Sequence, residues 1–397
     1  MKRDPIFLMV FLAILVTSSS TALQVLRVEA SGTIYIRADG SIDPPTAPIY
    51  TADNVTYTLT GNITPDTDGI VIERDNIVVD GAGYTVTGSG NGNGTTLSDR
   101  SNVTVRNMTI KNFFDGIWLA SSSNSTLSGN NVTANTGWGI NLYDSLNITN
   151  NGTEVQLFPC SNITLSDNNI TNNGAGVQLS PSSSNITLSG NNIAYNNVYG
   201  VYADSSSNIT LSINNVTNND RGIMLFWWSE NNTLSGNNVT NNGNGIDLFQ
   251  GSGYNTLSGN NVTNNDNGIS LGKSSCNTLS GNNVTNNGNG IGLFGSSNNT
   301  LSENNVTNNE CGIIISNFVI PSLDNSVIGN NIASNRCGID LSGGSGNRIF
   351  HNNFLNNTEQ ASNSSVNVWD NGYPSGGNYW SDYNGTDANH DGIGDTP

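Results

Sequence analysis

Between Asn232 and Asn309 the chain writes "NTLSGNNVTNN" three times and "NTLSENNVTNN" once. The Leu of "TLS" recurs at Leu165, Leu188, Leu211, Leu234, Leu257, Leu279 and Leu301, in steps of 23, 23, 23, 23, 22 and 22 residues. A second marker, G-[IV]-x-[LAI], recurs at Gly176, Gly200, Gly222, Gly245, Gly268, Gly290, Gly312 and Gly338. A unit this short cannot bury an apolar face by itself, so successive copies must stack. Degenerate copies reach "NVTV" at Asn102 and "NRIF" at Asn347, and Ser145 to Cys160 and Ser316 to Asn325 read as insertions.

Each unit carries three short apolar pieces: the "TLS" Leu, the "NVT" Val and the "GIxL" pair. None is long enough for a helix, and Asn, Gly, Thr and Val are poor helix interiors. The LxxLxL strand of leucine-rich repeats is absent. The period therefore predicts an all-β, right-handed parallel β-helix of roughly a dozen coils of 22–23 residues, with three parallel sheets. Leu, Val, Ile and Leu should stack inward. Asn should occupy left-handed corners and bond coil to coil through its amides. Three divisions follow: a leader over 1–30, a β-helix with its N-terminal cap over 31–365, and an aromatic, acidic cap over 366–397.

The 72 Asn come with three Lys and two His among 397 residues, so acid–base equipment is scarce. A net charge of −18 repels nucleic acid and leaves a cation, a sugar or a neutral surface as partner. The opening "MKRDPIFLMVFLAILVTSSSTA" reads as a secretory signal, cut after Ala22 or Ala30, or as an uncleaved anchor. No second long apolar run follows, so the mature chain is expected outside the cytoplasm, extracellular or at the cell surface, without a transmembrane span. Sequons such as Asn102, Asn162, Asn185, Asn238, Asn261, Asn283 and Asn384 suit a glycoprotein, although "NNVT" generates them by repetition.

Cys311 and Cys337 each precede a Gly-Ile marker, which places them on adjacent coils as a disulfide or as two stacked thiols. Cys160 and Cys276 lie too far apart to meet. The residue two after each marker Gly should point outward, which gives Trp118, Asn141, Gln178, Tyr202, Met224, Asp247, Ser270, Gly292, Ile314 and Asp340. Beyond that line lie Phe226, Trp227, Trp228, Phe249 and Phe294. Trp118, Tyr202 and these five aromatics are candidate ligand-binding residues, suited to stacking on sugar rings, or else they plug a corner. Asp247 and Asp340 stand four coils apart, too far for a glycosidase pair; Asp144 and Glu154 are a weaker pair.

In the tail, "DANHDGIGD" places Asp387, Asn389 and Asp391 at alternate positions before a Gly. With the Ile393 carbonyl and Asp395 they form a hard-oxygen set suited to Ca²⁺. The chain stops before the Glu that an EF-hand would require, so a calcium loop of another kind, ordering the C-terminal cap, is expected.

With its tandem "NTLSGNNVTNNGNGIDL" units and its ending "NVWDNGYPSGGNYWSDYNGTDANHDGIGDTP", the chain resembles the NosD-like family of exported right-handed β-helix proteins. Its Asn-rich style resembles that of archaeal surface members. The resemblance implies two further roles. One is carbohydrate binding or sugar hydrolysis, for which the repeat type is known. The other is periplasmic copper delivery to nitrous oxide reductase, the role of the founding member. For copper the donors are sparse: His351 and His390 are isolated, and only Met108 and Met224 follow the signal. The reading is a non-catalytic or structural surface protein that binds a polysaccharide or cell-surface glycan, with a surface-layer protein as a further partner. A polysaccharide hydrolase or lyase and a copper-maturation protein are the alternatives.

Overall fold

A computed structural model describes residues 32–394, apart from 146, 152–154, 173–174, 389 and 391–392. The chain winds as a parallel β-helix of about fourteen turns, more than the dozen that the repeat markers count. Sheet I, sixteen strands, holds the "GIxL" segments from Ile34–Ile36 to Glu359–Asn363. Sheet II, fifteen strands, holds the "TLS" segments and ends at Arg348–Phe350. The "NVT" segments make sheet III in two pieces, of three and ten strands.

Register is strict because each core residue must sit on its equivalent. Leu234 faces Leu257, Val239 faces Val262, and Ile246 and Leu248 face Ile269 and Leu271. Leu234, Val239, Ile246 and Leu248 are all fully buried. The marker Gly is required by the chain's close approach to the next coil. A Cβ at Gly245 would lie 2.5 Å from the Gly268 carbonyl oxygen and 2.8 Å from Val262 Cγ1.

The corners are held by asparagine. Asn260 Oδ1 accepts from the Asn237 backbone N–H at 3.0 Å and from Asn237 Nδ2 at 2.9 Å. Its own Nδ2 donates to the Leu234 carbonyl and to Asn282 Oδ1, both at 2.9 Å. Both acceptor and both donor sites of the amide are thus used, which is why full burial is tolerated. Parallel ladders run through Asn242–Asn265–Asn287 and Asn255–Asn277–Asn299. Other Asn take the left-handed backbone, such as Asn241 and Asn264, each at φ 57°. The tail ends two ladders: Asn352 Nδ2 donates to Asn378 Oδ1 and Asn347 Nδ2 to Asn367 Oδ1, both at 2.9 Å.

One reading is corrected. Ser145 to Cys160 is not an insertion but a coil, with Thr149–Asn151 in sheet II and Val155–Phe158 in sheet I. Its Gln156 pairs with Asn141 on one side and Gln178 on the other. Three residues, 152–154, separate its two strands, and sheet III is divided at this coil, among the described residues. Cys160 is buried, its N–H at 3.5 Å from Ser183 Oγ, the place of a serine in neighbouring coils.

Both ends are covered. Ile42–Asp43 and Ile49–Thr51 run antiparallel to the first strands of sheets I and II. At the other end Trp380 stacks on the buried Phe354, with centroids 4.3 Å apart and planes at 11°, and Trp369 packs behind it. No helix among the described residues is long and apolar enough to cross a membrane. The proposed leader lies outside the described residues.

Candidate functional site

The outer face of sheet I carries three lines of side chains, the first, fourth and sixth residues of each six-residue strand, because the marker Gly and the Ile after it both face the core before alternation resumes. The central line is continuous in register from Trp118 through Asn141, Gln156, Gln178, Tyr202, Met224, Asp247, Ser270, Gly292 and Ile314 to Asp340. On one side lie Tyr199, Arg221 and Asn244, the residues before each marker Gly. On the other lie Asp204, Phe226 and Phe249.

The aromatic side chains of Tyr199, Tyr202, Phe226 and Phe249 converge over three coils. Tyr199 and Tyr202 are 4.7 Å apart by ring centroid, Tyr202 and Phe226 are 6.1 Å apart, and Phe226 and Phe249 are 6.1 Å apart with planes within 8°. Gly272 makes room for this arrangement: a Cβ there would lie 2.3 Å from Phe249 Cδ2, so the ring lies along the sheet. Trp227 stacks on Phe226 at 5.7 Å and leads to Trp228, and both indoles are about half exposed or more. Phe318, from the loop over Ser316 to Asn325, continues the strip at 6.3 Å from Phe249, with Lys273 over its ring.

Two predicted members stand apart. Phe294 lies on the line of Phe249 two coils on, with Gly272 between them, and its ring turns back over Gly292. Trp118 is in register with Thr96 and Asn141, four coils from Tyr202.

Beside the strip is a cleft of about 400 Å³ lined by Tyr199, Arg221, Met224, Phe226, Asn244, Asp247, Phe249 and Ser270. Asp247 forms its floor and is only 7% exposed. Its Oδ2 accepts from Asn244 Nδ2 at 2.7 Å and lies 3.6 Å from Arg221 Nη1. Burial raises the Asp247 pKa above the usual carboxylate range, against the opposing pull of Asn244, Arg221 and Ser270. The Tyr202 phenol is pushed up to about 12 by burial, with the Asp204 charge adding to it. Within the central line the next carboxylate on the C-terminal side is Asp340, four coils away at ~4.8 Å per coil. Of the weaker pair, Asp144 is exposed and Glu154 lies outside the described residues.

Sequence reasoning missed Tyr199, Arg221 and Asn244. The residue before each Gly reads as a turn residue, and only the six-residue strands show it to be an outward line. Phe318 was hidden in a segment read as an insertion.

Cys311 and Cys337 are paired in register, and both are buried thiols. Their mutual hydrogen bond raises the Cys311 pKa, with burial adding to it. In the tail, Asp387 and Ile393 are half-buried, whereas Asn389, Asp391 and Asp395 lie outside the described residues.

Residues 226–385 match the family described as periplasmic copper-binding protein (NosD), and residues 68–239 match the right-handed β-helix region. No curated protein matches the chain. Among solved structures, the periplasmic alginate epimerase AlgG aligns at 16% identity over 81% of this chain and 80% of that one, with a TM-score of 0.47. The mannuronan C-5 epimerase AlgE4 A-module of Azotobacter vinelandii aligns at 16% identity over 77% and 88%, with a TM-score of 0.48. PfbA, a surface adhesin of Streptococcus pneumoniae, aligns at 12% identity over 74% and 83%, with a TM-score of 0.35.

Proposed function

The chain belongs to the NosD-like family of right-handed parallel β-helix proteins, and on that premise we propose that it is an exported, non-catalytic surface protein that binds a polysaccharide or cell-surface glycan. The observation that carries this reading is the aromatic strip Tyr199–Tyr202–Phe226–Phe249 beside an open, polar-floored cleft. Sugar rings present an apolar C–H face and a hydroxyl edge, which need a platform of this kind next to hydrogen-bonding groups. Glycoside hydrolysis needs two carboxylates ~5–10 Å apart, and the central line offers Asp247 no such partner.

The family label names copper. Among the described residues no group of three His, Cys, Asp or Glu could hold a metal, and His351 Nε2 lies 2.8 Å from the Ser375 carbonyl. Among the described residues, these isolated donors do not fit a copper site. For the tail, a Ca²⁺ loop over Asp387 to Asp395 remains our proposal; chelator should speed proteolysis of the tail, and unchanged cleavage would remove it.

The test of the glycan reading is an array screen with the wild type and the double variant Phe226→Ala, Phe249→Ala. The wild type should capture at least one glycan, and the variant should lose it by tenfold or more while melting normally. No capture by the wild type, or equal capture by both, would overturn the reading.

A further inference from the structure

Asp247 is out of keeping with its surroundings. Its register neighbours on the central line, Met224 and Ser270, are uncharged, and the ladders and core close without it. A carboxylate held 7% exposed on an outer sheet face costs desolvation that a Ser or Asn there would avoid. Arg221 recovers only part of that cost. At 3.6 Å its Nη1 is too far from Oδ2 for a hydrogen bond, and it donates instead to Met224 Sδ at 3.4 Å. The carboxylate therefore keeps acceptor capacity, and the guanidinium keeps donors, on the same cleft.

We infer that this cleft selects a neutral sugar ring presenting two adjacent hydroxyls, one donating to Asp247 and one accepting from Arg221, with its C–H face on Phe226 and Phe249. The inference rests on the glycan reading and adds the ligand class. A hydroxyl is both donor and acceptor, so a vicinal pair can bridge a carboxylate and a guanidinium that attract but do not hydrogen-bond each other. A uronate would set a second carboxylate beside a buried one, in a protein of net charge −18. Asn244 fixes the carboxylate from its own strand, and Ser270 on the next coil borders the cleft. The volume, about 400 Å³, suits a ligand on the order of two sugar rings.

Affinity electrophoresis tests this in gels cast with galactomannan, with a neutral β-glucan or with polygalacturonate. The probes are the wild type, Asp247→Asn, Arg221→Gln and the Phe226→Ala, Phe249→Ala double variant, each checked by thermal melting. The wild type should be retarded by a neutral gel and run freely in polygalacturonate. Asp247→Asn and Arg221→Gln should each weaken retardation at least tenfold without a lower Tm. Stronger retardation by polygalacturonate, or neutral-gel binding by both polar variants equal to wild type, would overturn the ligand class; with the aromatic variant still defective, the glycan reading would survive. A wild type that runs freely in all three gels would remove both.

Discussion

Two buried polar regions of this molecule obey opposite rules. In the corner ladder Asn237–Asn260–Asn282, each amide spends both acceptor and both donor positions on its neighbours. On the outer face of sheet I, Asp247 is almost as buried, yet its carboxylate has only Asn244 and Ser270 as hydrogen-bond donors, a guanidinium beyond hydrogen-bonding distance and a raised pKa. The ladder is copied from coil to coil; the buried Asp247 is not, its one counterpart on the line, Asp340, being half-buried four coils away. A buried polar group that repeats and is satisfied belongs to the scaffold. One that occurs once and costs stability is placed for a ligand.

The comparison breaks most easily at the ladder. Asn260→Ala leaves the Asn237 N–H and Nδ2, the Leu234 carbonyl and Asn282 Oδ1 each short of a partner. At ~1–3 kcal/mol per stranded group, with partial relief by relaxation, a loss on the order of 4 kcal/mol is expected. Urea unfolding measures it, and a loss below about 1 kcal/mol would show that the ladder is ornamental.

The cysteine pair comes next. We propose that Cys311 and Cys337 close to a disulfide under oxidised glutathione, since register sets them about one strand spacing apart. The bond should add roughly 3 kcal/mol by restricting the unfolded chain. Thiol alkylation before and after oxidation, with paired denaturant melts, decides it; persistence of both thiols would rule it out.

Asn378→Ala removes the acceptor at one ladder's end, where burial is only partial. About 1 kcal/mol should be lost, together with faster proteolysis after Trp369. Equal cleavage rates would detach the tail from the ladder.

Last and smallest is Asp247→Asn, whose sign is reversed. The folded-state pKa is raised, so the ionised carboxylate destabilises the native state above that pKa. The penalty is relieved as pH falls through the folded pKa toward the ordinary value of 3.8, and below both it vanishes. The variant should therefore melt higher than wild type at neutral pH and converge with it in acid. A lower Tm at neutral pH would make Asp247 part of the scaffold.

Much of this was legible in advance. The residues spaced as "TLS", "NVT" and "GIxL" are the core, as Leu234, Val239, Ile246 and Leu248 demonstrate. The Asn were readable as corners and ladders because a side chain that recurs at the coil period must meet its own copy. The coil through Gln156 was not, because "EVQLF" carries no Gly marker. Phe294 shows the other limit: equivalence of position with Phe249 did not determine where its ring would turn.

The sequence by itself determined the period, the parallel sheets, the core column and the line of outward positions, because each follows from a local pattern repeated at the spacing of one coil. Tertiary structure alone decided which outward residues share a surface. The meeting of Tyr199, Arg221, Asp247, Phe249 and Phe318 depends on register across several coils, on a loop folding back, and on glycines that let rings lie flat. These are relations between copies, and no single copy encodes them.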